Sequence, residues 1–149
     1  MSGSQFITPL DCRKLDGQQK EGRALWRLLA PLSYRSQLLG ALITVPAGFI
    51  TDFASVPRLP LTYLLAGDKA HEAAVVHDYL YTTHAVDGQA VTRAQADAVF
   101  REAISALKVR APGFLMWLAV RVGGAGAWKA EGPEQTPEVQ SLIEMDRAA

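Results

Sequence analysis

The spacing of apolar positions changes near residue 60, and the two halves of the chain ask for different structures. In the first half the runs are short and the alternation is broken. Phe6–Cys12 reads as a short strand, followed by a polar, turn-rich stretch from Arg13 to Gly22. Within it, Asp16-Gly17 lies between two apolar runs and signals a hairpin. The segment from Ala24 to Ala30, then Pro31 to Arg35, carries both helix and strand signals. Pro31 argues against a continuing helix, and the partial alternation favours an edge strand. Leu42–Pro46 is a clearer strand, stopped by Pro46 and Gly48. The expected fold is α+β: a small antiparallel β-meander at the N-terminus packed on two to three α-helices.

The helical half begins with a segment predicted as helix from about Asp68 to His84. Ala70, Ala73, Ala74, His77, Leu80, Tyr81 and His84 fall on one helical face. Asp87-Gly88 marks a turn, and Thr92-Arg93-Ala94-Gln95 fits a capping box that opens a second helix. Ala96, Val99, Phe100, Ala103 and Leu107 form its stripe. Pro112 opens a third segment, Gly113 to Val122, apolar nearly all round, which Gly123-Gly124 ends. After Trp128 the chain turns polar. Residues 1–128 are thus expected as a single α+β domain. Residues 129–149 read as a polar linker and a short tail helix over Glu138–Arg147.

Composition narrows the class of partner. Fifteen Lys+Arg balance fifteen Asp+Glu, so the basic footprint of a nucleic-acid binder is missing. Cys12 is the single cysteine, which excludes a disulfide framework and a cysteine-built zinc site. Met1–Gln5 lacks the basic and apolar regions of a signal peptide. The longest unbroken apolar run, Phe114 to Val120, falls far short of the ~20 residues of a membrane span, so no transmembrane segment is expected. The expectation is a protein made in the cytoplasm, or one carried elsewhere inside a larger particle.

His77 and Asp78 change the picture of the first helix. An imidazole in the middle of an inward-facing stripe, with a carboxylate beside it, is costly to bury without hydrogen-bond partners, a metal or a cleft. Two readings are open: a core histidine bonded to a backbone carbonyl with Asp78 in an ion pair, or a functional pair. Asp97 borders the second stripe beside Phe100 and Ile104. It either complements the helix dipole or is bonded by something nearby. In Gly48–Arg58, just past a strand, Thr51, Asp52 and Ser55 bring oxygens close together. They read as a turn and helix cap, or, beside His77-Asp78, as the source of a third carboxylate or metal ligand in Asp52.

The block from Val45 to Arg58, containing GFITDFASVPR, resembles an uncharacterised bacteriophage and prophage family, the domain of unknown function numbered 1353. The resemblance continues in Ala73–Tyr81, containing HDYLY, in Ala96-Asp97-Ala98-Val99-Phe100, and in a later aromatic helix ending in glycines, covering roughly Ala24 to Gly124. It implies a phage-derived protein and supplies no reaction.

A second resemblance is mechanistic. His77-Asp78-x-x-Tyr81 on one helix, with Asp97 on the next, is similar to the phospholipase A2 arrangement. That likeness implies His77 as general base to a water, Asp97 as its orienting carboxylate and Tyr81 as hydrogen-bond partner of Asp97. It implies Asp78 as a calcium ligand, with Asp52 as the further oxygen a metal would need. The glycine-rich calcium loop of those enzymes is replaced here by Gly67-Asp68-Lys69.

Two function classes follow. One is a virion- or lysis-associated hydrolase of the host cell envelope, lipid or peptidoglycan, using a divalent cation (calcium or zinc) and no nucleotide cofactor. The other is a non-catalytic phage tail or baseplate protein, in which the same residues form a buried structural network. The expected partners are other phage structural proteins or host envelope components. The expected location is the host cytoplasm on synthesis, then the virion tail or host envelope.

Overall fold

Alternation is clean where a strand has one face on the core. In the strand Leu32–Ser36, the buried residues are Leu32, Tyr34 and Ser36, and in Ala41–Val45 they are Ile43 and Val45. The register pairs Leu32 with Val45 and Tyr34 with Ile43, so buried side chains face each other across the ladder. The computed structural model describes residues 3–20, 23–52, 71–108 and 128. In chain order the strands are β1 (Gln5–Phe6), β2 (Cys12–Lys20), β3 (Arg23–Leu28), β4 (Leu32–Ser36), β5 (Ala41–Val45) and β6 (Ile50–Thr51). Helix α1 (His71–Thr83), a short hairpin of β7 (Ala85–Val86) and β8 (Gln89–Ala90), and helix α2 (Arg93–Ala106) follow.

The architecture is α+β, with antiparallel strands from the first fifty residues set against helices. The strands divide between two three-stranded sheets, ordered β1-β4-β5 and β2-β3-β6. The region expected as an edge strand forms β3 and β4 instead. Each is the central strand of its sheet, with Pro31 between them where no ladder hydrogen bond is needed. The strand expected over Phe6–Cys12 is cut to Gln5–Phe6, because Pro9 has no N–H to offer a ladder and β2 starts only at Cys12. Asp16-Gly17 lies inside β2, where the register with β3 shifts between Lys14 and Gln19. Gly17 takes a φ of +70°, the left-handed backbone that a bulge and a tight turn both use.

α1 packs on α2 and against β4 and β5. Ala73, Ala74, Leu80 and Tyr81 are buried as their spacing requires, and Val75 and Val76 are buried as well, so α1 is covered on more than one side. Asp68–Ala70 lie outside the described residues. His84 ends the helix at φ +53° with its N–H on the Leu80 carbonyl, and Asp87 and Gly88, at φ +50° and +77°, make the β7–β8 turn. α2 opens as expected: Thr92 Oγ1 accepts from Gln95 N–H, and the Gln95 side chain accepts from Thr92 N–H. The expected third helix and the tail fall outside the described residues, Trp128 excepted. Among the described residues no helix is long and apolar enough to cross a membrane.

Candidate active site

His77 sits in the middle of α1, and Tyr81 follows it one turn later on the same face. Asp97 lies in the first turns of α2, on the edge of a stripe that also buries Ala96, Val99 and Phe100. Packing α1 on α2 brings the three together. Asp97 Oδ1 lies 2.7 Å from His77 Nε2 and accepts the Tyr81 hydroxyl at 2.6 Å. The relative exposures are 3% for His77, 0% for Asp97 and 3% for Tyr81, so the bonds form out of water. Between Asp97's two open readings, the geometry selects the bonded one.

Aromatic rings wall the imidazole. Its centroid is 4.2 Å from the Tyr81 ring and 4.9 Å from the Phe100 ring. Burial pushes the Tyr81 phenol well above its usual pKa, the bond to Asp97 adds to the rise, and Arg93 opposes it. Tyr81 therefore stays protonated and donates. An ionised Asp97 oxygen has no proton to give, so the imidazole nitrogen that meets it, Nε2, is the one that carries a hydrogen. The arrangement fixes the orientation of the imidazole through a buried carboxylate.

Asp78 points elsewhere. Its Oδ2 accepts the Thr51 hydroxyl at 2.5 Å, which ties α1 to β6 and, through the Trp26–Thr51 pairing, to β3. Asp52 follows Thr51 at the end of β6 and is half-buried; it is Thr51 that reaches Asp78. Ser55 lies outside the described residues. Among the described residues, no group of three His, Cys, Asp or Glu side chains gathers to hold a metal ion.

Two residues at the network were not singled out by sequence reasoning. Arg93, the first residue of α2, places Nε 3.9 Å from Asp97 Oδ2. The i,i+4 spacing of Arg93 and Asp97 is the signal that could have found it. Trp128 stacks on His84 at 3.6 Å between centroids and 7° between planes, and meets Tyr81 edge-on at 5.1 Å. Nothing in the local pattern announces a contact across more than forty residues.

A family model described as "Protein of unknown function (DUF1353)" matches residues 26–120. The chain belongs to that family. The DUF1353 match runs from β3 through α2 and so includes Thr51, Asp52, His77, Asp78, Tyr81, Arg93 and Asp97. It leaves out β1, β2 and Trp128. No curated protein and no solved structure matches the chain.

Proposed function

We propose that this chain is a phage- or prophage-encoded hydrolase of the host cell envelope that activates water through a phospholipase-like His–Asp pair. One observation carries the reading: a single oxygen of a fully buried Asp97 takes both His77 Nε2 and the Tyr81 hydroxyl. His77 Nδ1 removes a proton from water, and the resulting hydroxide attacks an ester or amide carbonyl. Asp97 stabilises the imidazolium that forms, and Tyr81 keeps the carboxylate in place. The imidazolium then returns its proton to the leaving group. The phage origin is supported by the GFITDFASVPR and HDYLY blocks, and it suggests synthesis in the host cytoplasm followed by action at the envelope or from a virion tail.

A calcium or zinc ion belongs to the same proposal; Asp78 and Asp52 would hold it, and when bound it would supply positive charge at those carboxylates. The bond from Thr51 suits Asp78 for that task, because metal-ligating carboxylates are themselves held by hydrogen bonds.

A second reading has its own observation. Exposures of 3%, 0% and 3% describe a closed cluster, as a non-catalytic tail or baseplate protein would use to lock two helices together. His77→Ala separates the two. With phospholipid vesicles and peptidoglycan as substrates, hydrolysis should fall by about 10²–10⁴-fold in the variant. The structural reading instead gives no hydrolysis in either protein; under both readings the variant is weakened by about 1–3 kcal/mol, since the buried Asp97 loses a partner. Each assay is run with calcium, with zinc and with chelator; a bound ion raises the melting temperature by mass action.

A further inference from the structure

Two rings at the end of α1 share a neighbour from far along the chain. Tyr81 and His84 stand three residues apart and so lie on the same side of the helix. Trp128 stacks on the His84 ring at 3.6 Å and 7°, and meets the Tyr81 ring edge-on at 5.1 Å and 84°. The same Tyr81 ring lies 4.2 Å from the His77 imidazole, and its hydroxyl donates to Asp97 Oδ1 at 2.6 Å. That hydroxyl sits at the far end of a long side chain, so a small tilt of the ring carries it off the oxygen. We propose that Trp128 is a positioning residue of this site: seated on His84, it holds the Tyr81 ring so that the hydroxyl stays on the oxygen that also meets His77. Its part in catalysis rests on the hydrolytic reading above; its hold on Tyr81 does not.

The residue that ends α1 makes the seat specific. His84 follows the last residue of the helix with φ +53°, a left-handed backbone that glycine adopts without strain and at which helices most often end in glycine or asparagine. A histidine there carries a backbone cost that closing the helix does not require. What its ring adds is a flat face parallel to the indole. The indole then reaches Tyr81 in the edge-on arrangement, within the spacing of about 4.5–7 Å at which aromatic pairs attract beyond the area they bury. Tyr81, His77 and Asp97 all lie within residues 26–120, which match the family, and Trp128 lies beyond them. The support for the family's buried cluster thus comes from outside the matched stretch.

The test uses the intact chain with ¹³C-labelled tyrosine and ¹⁵N-labelled histidine, and reads Tyr81 and His77 by NMR. In the wild type, Tyr81 should show a slowly flipping ring, a slowly exchanging hydroxyl proton and a nuclear Overhauser contact with the Trp128 indole. In Trp128→Ala the ring should flip and the hydroxyl proton exchange at least about tenfold faster, and kcat should fall about tenfold with KM unchanged, as expected when a supporting group shifts the reacting geometry. Trp128→Phe, which keeps a ring, should recover most of each signal. His84→Gly removes the stack while suiting the left-handed backbone, so it should fold and loosen Tyr81 in the same direction. A Trp128 that only stabilises the fold would lower the melting temperature of Trp128→Ala. It would leave the Tyr81 signals, or kcat on a cleaved substrate, at wild-type values, and that result overturns the inference. If Trp128→Ala does not fold, Tyr81 signals unchanged in His84→Gly, or no Trp128–Tyr81 contact in the wild type, overturn it equally. If no substrate is hydrolysed while Tyr81 still responds to Trp128→Ala, the hydrolytic reading fails and the positioning of Tyr81 by Trp128 stands.

Discussion

Helix α2 holds two carboxylates that each grip a tyrosine, and they differ in burial and in what else they hold. Glu102 accepts the Tyr34 hydroxyl at 2.8 Å through Oε1 and the Leu38 N–H at 2.9 Å through Oε2. Asp97 accepts the Tyr81 hydroxyl at 2.6 Å and lies 2.7 Å from His77 Nε2. Both phenols are pushed above their usual pKa by burial first and by the carboxylate next. Glu102 is half-buried beside an open groove and clamps the turn between β4 and β5. Asp97 is sealed, and its second partner is an imidazole. A raised tyrosine pKa is therefore common to a clamp and to a candidate active site. What distinguishes the second is an imidazole, oriented by the same oxygen that holds the phenol.

Removing each carboxylate should break the comparison most visibly. Asp97→Ala leaves His77 and Tyr81 buried with their shared partner gone and should cost about 3–5 kcal/mol in a urea melt. Phe100 stands between the two carboxylates on α2, fully buried and 4.9 Å from the imidazole centroid. Phe100→Ala should cost about 3–5 kcal/mol and disturb the His77 side alone. A loss below roughly 1 kcal/mol would mean that the ring is not packed as described. Glu102→Ala should cost less, about 1–3 kcal/mol, because Leu38 lies exposed and only the buried Tyr34 hydroxyl is left without its acceptor. Equal losses for Asp97→Ala and Glu102→Ala would erase the distinction drawn here.

The two tyrosines should behave alike toward base, which sharpens the point that the phenols are not what differs. Each is raised in the folded state, so its contribution is complete below the unfolded phenol value of about 10 and is lost as pH rises above it. Urea midpoints measured from pH 9 to 11.5 should fall on the alkaline side. Tyr34→Phe should flatten that fall, and Tyr81→Phe should flatten it as well. A slope unchanged in both variants would contradict the burial of the hydroxyls.

What the sequence made legible was local. Thr92 and Gln95 announce the start of α2 because both halves of the capping box lie within four residues. His77 and Tyr81 fall on one face by spacing alone, and Asp97 stands out as a carboxylate beside Phe100 and Ile104. What needed the structure was the pairing of distant segments. Trp26 meets Thr51 across the β3–β6 ladder, and Trp128 meets His84 and Tyr81 from far along the chain. Neither contact leaves a periodic trace. Asp16-Gly17 was open to misreading because a bulge glycine and a hairpin glycine use the same left-handed backbone. Arg93 was hidden by its place in the cap sequence, where it reads as an ordinary surface residue.

The central claim is that Asp97 orients a base and does more than join two helices, and Asp97→Asn tests it most directly. The amide keeps the shape and the Oδ1 acceptor of the carboxylate, so the helix pair should survive with its melting temperature lowered by only a few degrees. Without the negative charge, the imidazolium loses its stabilisation and the ring tautomer is no longer fixed. Hydrolysis of the substrate that wild type cleaves and His77→Ala does not should then fall by about 10²–10⁴-fold. An Asp97→Asn protein that melts as the wild type does and hydrolyses that substrate at the wild-type rate would contradict the account.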